Sequence, residues 1–335
     1  MDGSLTEPIC RHEFEAQKLV TDFPPRITDP NKKMVYDIAC PPGCGHRGRL
    51  VFSRWRSMEL PETIPLIDLT IDFEARENVF GYEPPKDDTS VEWYLNFANY
   101  DLFSAYGGPL FAQDEMQVAE HPALGSLREA LLGMDTGTLT VEENMPTPIL
   151  VRGVERRCRI ATEPNPQQMR PSGLYGNNFA TAAAEAIELA TTPITPPTTT
   201  NLIAIEAPAY GRGVYSLEEI RFITTTAYTG FAAATIESRL GGNRARTVVH
   251  TGFWGCGAYG GNRVLMALLQ FVAAMGAGFE RLVFHTFDSS GTESHQVAQG
   301  IFRDVLSSSA GELKVQSVLK AIHDMGFEWG VGSGT

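Results

Sequence analysis

Positive charge is what this 335-residue sequence has least of: 27 lysines and arginines stand against 40 aspartates and glutamates, a formal net charge of −13. A chain that grips a polyanion by charge is usually basic, so direct nucleic-acid binding is not expected. A phosphorylated ligand would have to be held locally, by backbone groups. Cysteine is scarce too, and five is an odd number, which argues against a disulfide framework. No run of about 18 apolar residues occurs, because Gln270 interrupts the best candidate, and Met1-Asp2-Gly3-Ser4 begins no basic-then-apolar leader. The expectation is a soluble, intracellular protein with no membrane role, cytoplasmic with the nucleus left open. No internal repeat is evident, and the length suits one α/β core with added segments.

What is present is organised unevenly. Residues 1–62 carry Pro and Arg without sustained periodicity and read as an N-terminal lead or accessory segment, with the main domain over 63–335. Ile67, Leu69, Ile71 and Phe73 alternate with polar residues as a half-buried strand does, and Pro84 to Asp88 makes a polar turn. Trp93 to Ala98 and Ile149 to Val154 read as strands, and Ala123 to Leu132 as a helix. Thr191 to Thr200, rich in Thr and Pro, reads as a surface loop. Leu202 to Ala207 is a short apolar run suited to a buried strand, and Ser216 with Glu219 forms a capping-box start to a long helix. Thr247 to His250, a helix to Met275, a strand over Arg281 to Phe287, and helical runs around 296–306 and 313–325 complete the chain. This alternation predicts an α/β fold, a mixed sheet flanked by helices.

The densest signal is His250 to Asn262, with five glycines in thirteen residues between a strand and a helix. Glycines let backbone N–H groups approach an anion closely, and the helix N-terminus adds positive partial charge, so the loop is expected to bind phosphate. Gly255-x-Gly257-x-x-Gly260 also spells a dinucleotide fingerprint with Asp288 ending the next strand. The roughly 45 residues that remain leave no room for the rest of such a domain.

Two smaller groupings carry chemistry. Asn96 to Asn99, Tyr106-Gly107-Gly108-Pro109 and Gln113-Asp114-Glu115 place an amide, a glycine turn and an acidic pair within twenty residues. One carboxyl can serve a glycosidic bond first as acid and then as base, although acidic residues in a first helical turn often only complement the dipole. Cys10, His12, Cys40, Cys44 and His46 would supply nitrogen and sulfur ligands for a structural zinc from two short knuckles. Their spacing matches no standard finger, and ordinary buried thiols with surface histidines are the other reading.

In the Asn96 to Glu115 block and the glycine loop the chain resembles poly(ADP-ribose) glycohydrolase and related macrodomains. The family's signature is an Asp-Phe-Ala-Asn-like strand end, a Gly-Gly-Gly turn and a Gln-Glu-Glu triplet, followed later by Thr-Gly-Asn-Trp-Gly-Cys-Gly-Ala-Phe-Gly-Gly. Thr251 to Gly261 is similar to that loop at all but two positions. The resemblance spans roughly Ile64 to Asp288 and implies a macrodomain-like ADP-ribosyl glycohydrolase that needs no cofactor for catalysis, with ADP-ribose and ADP-ribosylated proteins as partners. It implies Glu115 as the catalytic acid and Asp114 as the residue orienting the ribose hydroxyls. Asn99 and Phe287 would meet the distal ribose. Gly107 and Gly108, with Gln113 following them, would pass close to the diphosphate, and Gly255, Cys256, Gly257, Ala258 and Tyr259 would cradle it.

The departures point to substrate choice. Asn96 replaces the motif's Asp, Pro109 its third glycine, Asp114 its first glutamate and Phe253 an asparagine, and the spacer from Gly108 to Gln113 is shorter. These changes lie on the leaving-group side, so mono-ADP-ribose on a protein side chain is expected over polymer. Arginine linkage is the first choice, since Asp101 and Asp114 could hold a guanidinium. A poly(ADP-ribose) glycohydrolase and a non-catalytic ADP-ribose reader are the alternatives.

Overall fold

Trp93 and Leu95 pack on one side of a strand while Tyr94 and Ala98 pack on the other, and this two-sided burial marks the middle of the structure. The computed structural model describes residues 7–66, 71–83, 89–134, 137–240, 245–309 and 311–332. The main sheet is built from β1 (Pro8–Glu15), β2 (Arg49–Trp55), β3 (Asp72–Arg76), β4 (Ser90–Ala98), β5 (Ile149–Ile160), β6 (Thr191–Glu206), β7 (Arg246–Gly252) and β8 (Arg281–His285). Their spatial order is β1-β2-β5-β6-β4-β7-β8-β3. From β6 to β3 every pairing is parallel, and from β1 to β6 every pairing is antiparallel. The sheet is thus mixed, as expected.

Helices cover both faces. Four of them, α1 (Ala16–Asp22), α2 (Pro30–Ala39), α3 (Gln113–Glu120) and α4 (Ala123–Leu132), precede β5. Leu124, Leu127 and Leu131 of α4 pack with Tyr94, Val151 and Leu202 on one face of the sheet. On the other face lie α5 (Leu217–Arg239), α6 (Arg263–Ala277), α7 (Ser289–Ser307) and α8 (Val315–Asp324). The expected capping box starts α5: Glu219 N donates to Ser216 Oγ at 3.2 Å, and Ser216 N donates to the Glu219 carboxylate at 2.7 Å. Helix α6 is buried continuously from Leu265 to Met275, as a helix that is apolar all round must be. Its one polar interruption, Gln270, is satisfied: Nε2 donates to Gly252 O at 3.1 Å and Oε1 accepts from Thr251 Oγ1. The side chain that breaks the apolar run therefore pins the end of β7, where the glycine loop begins. Among the described residues no helix is long and apolar enough to cross a membrane.

Two expectations about organisation are corrected. Residues 7–62 are not an appendage to the sheet, because β1 and β2 are the two strands at one of its edges and α1 and α2 pack on it. Thr191 to Thr200 is the first part of the 16-residue strand β6 and not a surface loop. Its prolines are tolerated because this half pairs with β5 alone, while β4 pairs only with Leu202 to Glu206, and the register slips between Arg156 and Cys158. Ile67, Leu69 and the turn from Pro84 to Asp88 lie outside the described residues.

Candidate active site

In an open sheet with parallel strands, ligands sit beyond the carboxyl ends of those strands, because the helix N-termini and the loops that can diverge converge there. Strand β4 ends at Ala98, β6 at Glu206 and β7 at Gly252, side by side. Beyond them lies a cleft of about 840 Å³, counted to its open mouth. One wall is Asn99, Ser104, Ala105, Leu110 and the first turn of α3, and the facing wall is Trp254, Gly255, Gly257, Ala258 and Tyr259, with Tyr175 and Tyr210 at the sides.

The loop 253–262 is rigidly hung. Trp254 Nε1 donates to Ile205 O at 3.1 Å, Asn262 caps α6 by accepting from Leu265 N at 3.1 Å, and Gly261 N donates to Gly255 O at 2.9 Å. Gly255 has φ +75, and a Cβ there would lie 2.5 Å from Ala207 Cβ, so only glycine fits. The N–H groups of Trp254, Cys256, Gly260 and Gly261 are bonded within the loop. Among the described residues, none accepts from the N–H groups of Gly255, Gly257, Ala258 or Tyr259, all of which line the cleft. A short run of unpaired amides next to a helix N-terminus is an anion cradle.

The opposite wall supplies acid. Gln113 ties α3 to the end of β4: its Oε1 accepts from Phe97 N at 2.8 Å and its Nε2 donates to Leu95 O at 3.0 Å. Asp114 and Glu115 follow, 5% and 4% exposed. Asp114 Oδ1 accepts from Asn96 Nδ2 at 2.9 Å, and Glu115 Oε2 accepts from Ala112 N at 2.9 Å. Burial pushes both carboxyls above the usual range, and the Glu115 charge raises Asp114 further. The pair disfavours double ionisation and so holds a proton near neutrality. Nearby, Lys32 Nζ donates to Tyr106 O at 2.9 Å. Burial lowers the Lys32 pKa to about 8 against the opposing pull of Glu115, Asp29 and Asp114.

Of the residues expected in the site, Asn99, Gln113, Asp114, Glu115, Gly255, Gly257, Ala258 and Tyr259 meet in this one cleft, and Asn99 Nδ2 reaches Tyr259 Oη at 3.4 Å across it. Five do not line it. Asp101 is engaged by Arg128, whose second guanidinium nitrogen donates to Oδ2 at 2.7 Å, and by Thr138, so it braces the loop and is not free for a leaving group. Gly107 is required by packing: a Cβ there would lie 2.1 Å from Arg26 O, and Gly107 O accepts from Thr28 N at 2.9 Å. Gly108 N turns back to Ala105 O, and Cys256 is directed into the core, where burial raises its thiol. Phe287, just beyond β8, is 61% exposed with φ 70, an unusual backbone for an aromatic residue.

Sequence reasoning missed Lys32, which lies in the segment set aside as a lead. Asp29 and Pro30 carry a helix-start signal that could have found its helix, since Asp29 Oδ1 accepts from Lys32 N at 2.9 Å. Tyr175 and Tyr210 were missed as well, and nothing in their local sequence marks them.

Fold and cleft together define a macrodomain-like α/β protein that can hold a phosphorylated ligand against a buried carboxyl pair. The comparisons with known proteins agree with the resemblance read from the motifs. Residues 165–294 match the family described as poly(ADP-ribose) glycohydrolase (PARG), macro domain fold, a segment that contains the glycine loop but begins after Asp114 and Glu115. The chain is also similar to the crystal structure of poly(ADP-ribose) glycohydrolase from Thermomonospora curvata, with 16% identity over 87% of this chain and 85% of that one, at a TM-score of 0.44. The enzyme of the same name from Deinococcus radiodurans, in complex with ADP-ribose, gives 15% identity over 89% and 94%, at a TM-score of 0.42.

Proposed function

We propose that this chain is an ADP-ribosyl glycohydrolase, removing ADP-ribose from modified proteins. The observation that carries this reading is the meeting, in one cleft, of four backbone amides without an acceptor among the described residues and a buried carboxyl pair. The amides hold a diphosphate without net positive charge, which an acidic chain requires. In the reaction Glu115 gives its proton to the leaving atom as the glycosidic bond breaks. It then takes a proton from the water that adds to the anomeric carbon, so the carboxyl ends as it began. Asp114, fixed by Asn96, orients the ribose hydroxyls, and Asn99 bonds the distal ribose. Phe287, exposed beyond β8, is available to pack on that sugar.

Mono-ADP-ribose is the proposed substrate over polymer, with arginine linkage first. What supports this is the leaving-group wall of Ser104, Ala105 and Leu110, drawn in by Lys32, together with an acidic floor suited to a guanidinium. Asp101 contributes nothing here, having Arg128 as its partner. The test is a panel of proteins modified on arginine, glutamate or serine, alongside polymer at equal concentration of ends, with free ADP-ribose measured. Greater release from the arginine-linked protein is expected. Preference for polymer would reverse the specificity, and ADP-ribose binding with no release from any substrate would make the protein a reader.

A further inference from the structure

The five residues weighed as zinc ligands separate in the fold. Cys10 and His12 lie on β1, where His12 stacks on Phe52, whereas Cys40, Cys44 and His46 come together at the end of α2. Their Sγ and ring nitrogen atoms all lie within 4.8 Å of one another, and Cys40 Sγ is 3.8 Å from His46 Nε2. Two ligands of a tetrahedral zinc, at about 2.3 Å for sulfur and about 2.0 Å for nitrogen, stand roughly 3.6 Å apart. The Cys40–His46 pair already stands near that distance, and no pair among the three ligand atoms exceeds it by more than about 1.2 Å.

The loop that presents these atoms is held from several sides. Cys40 N donates to Tyr36 O at 2.8 Å as the cap of α2, and Cys44 N to Pro41 O at 3.0 Å, across a turn in which Gly43 has φ +81. His46 N donates to Gln17 Oε1 at 2.8 Å. Arg157 on β5 donates to Ala39 O and Gly45 O, each at 3.1 Å, gripping the backbone on both sides of the ligands. The buried His46 ring leaves Nδ1 without a hydrogen bond, 3.4 Å from Glu155 Oε2. A carboxylate facing the second ring nitrogen is the arrangement that orients a metal-bound histidine, and a small rotation of the ring on metal binding would make that bond.

The geometry points to a zinc-class metal site formed by Cys40 Sγ, Cys44 Sγ and His46 Nε2. Among the described residues no fourth His, Cys, Asp or Glu joins them, so water completes the tetrahedron. Two thiolates and a neutral imidazole balance the ion's charge, as a partly buried site needs. The ion closes the loop between α2 and β2, away from the cleft, so the inference stands independently of the proposed activity.

The test uses the full chain, purified under reducing conditions without chelator. One zinc per chain by mass spectrometry is expected, and replacement by cobalt should give thiolate-to-metal charge-transfer absorption. Cys44→Ser should lose both signals, while Cys10→Ser keeps them. A strong chelator should lower the melting temperature of the wild type by several degrees and leave that of Cys44→Ser unchanged. Absence of a cobalt spectrum in the reduced wild type, which needs no variant, would overturn the proposal. So would a spectrum indifferent to Cys44→Ser.

Discussion

Asp114→Asn separates charge from shape at the floor of the cleft. The hydrogen bond from Asn96 Nδ2, 2.9 Å long, can be accepted as well by an asparagine oxygen. What the variant removes is ionisation. Burial and then the Glu115 charge raise the Asp114 carboxyl, against the lowering effect of Asn96, Lys32 and Arg128. In the unfolded chain the group titrates near ~3.9, so above that pH the folded protein keeps a proton the unfolded one has lost. A raised folded pKa gives stability that is complete below the unfolded value and is lost as pH rises through the folded one. Within that window each pH unit removes up to about 1.4 kcal/mol from the wild type and nothing from the variant. From about pH 5 to about pH 7 the ceiling is ~2.7 kcal/mol, and sharing of the proton with Glu115 brings the expected relative gain of the variant to roughly 2 kcal/mol. Urea unfolding followed by tryptophan fluorescence measures this, since Trp55, Trp93 and Trp254 are buried. Parallel stability curves for the two proteins would show Asp114 ionised in the fold and would refute a proton-holding pair.

Gln113→Ala removes both side-chain bonds between α3 and the end of β4, and should cost about 1–3 kcal/mol in unfolding free energy. Because the first turn of α3 is then free to shift, kcat should fall while ADP-ribose affinity changes little. Gly255→Ala should lower ADP-ribose affinity at least tenfold by calorimetry, since the new Cβ meets Ala207 Cβ at 2.5 Å. Gly108→Ala, whose Cβ would sit an ordinary 3.7 Å from Ala105 O, should leave affinity unchanged.

The parts of the fold legible in the sequence were those set by local chemistry. The capping box at Ser216, the breakers around the glycine loop and the leucine face of α4 are all short-range signals, and each marks an element where it stands. Strand β6 was misread because proline's exclusion from sheets depends on which neighbours pair with it, and a sequence does not show that the first half of this strand has a partner on one side only. Residues 7–62 were misplaced for a related reason: β2 gains its second sheet partner from β5, about a hundred residues later, and β1 joins the sheet only through β2. Asp114 and Glu115, adjacent in sequence at a helix start, do come together in the cleft. Residue types were over-read where packing decides, as for Gly107 against Arg26 O and Asp101 against Arg128. The clasp of the C-terminal tail, in which Gly330 N donates to Gly260 O at 2.8 Å and Asn262 Nδ2 to Glu328 O at 3.0 Å, had no local signal at all.

The most direct test of the central claim compares wild type with Glu115→Gln in two assays, ADP-ribose binding by calorimetry and release of ADP-ribose from an arginine-modified protein. The amide oxygen of glutamine can still accept from Ala112 N, so α3 should keep its start, and the proposed diphosphate cradle lies on the far wall. Affinity should therefore stay within a few-fold while release falls by about 10²–10⁴-fold, as for a group acting mainly in the transition state. Unchanged release, or no measurable binding of ADP-ribose by either protein at millimolar ligand, would contradict the account.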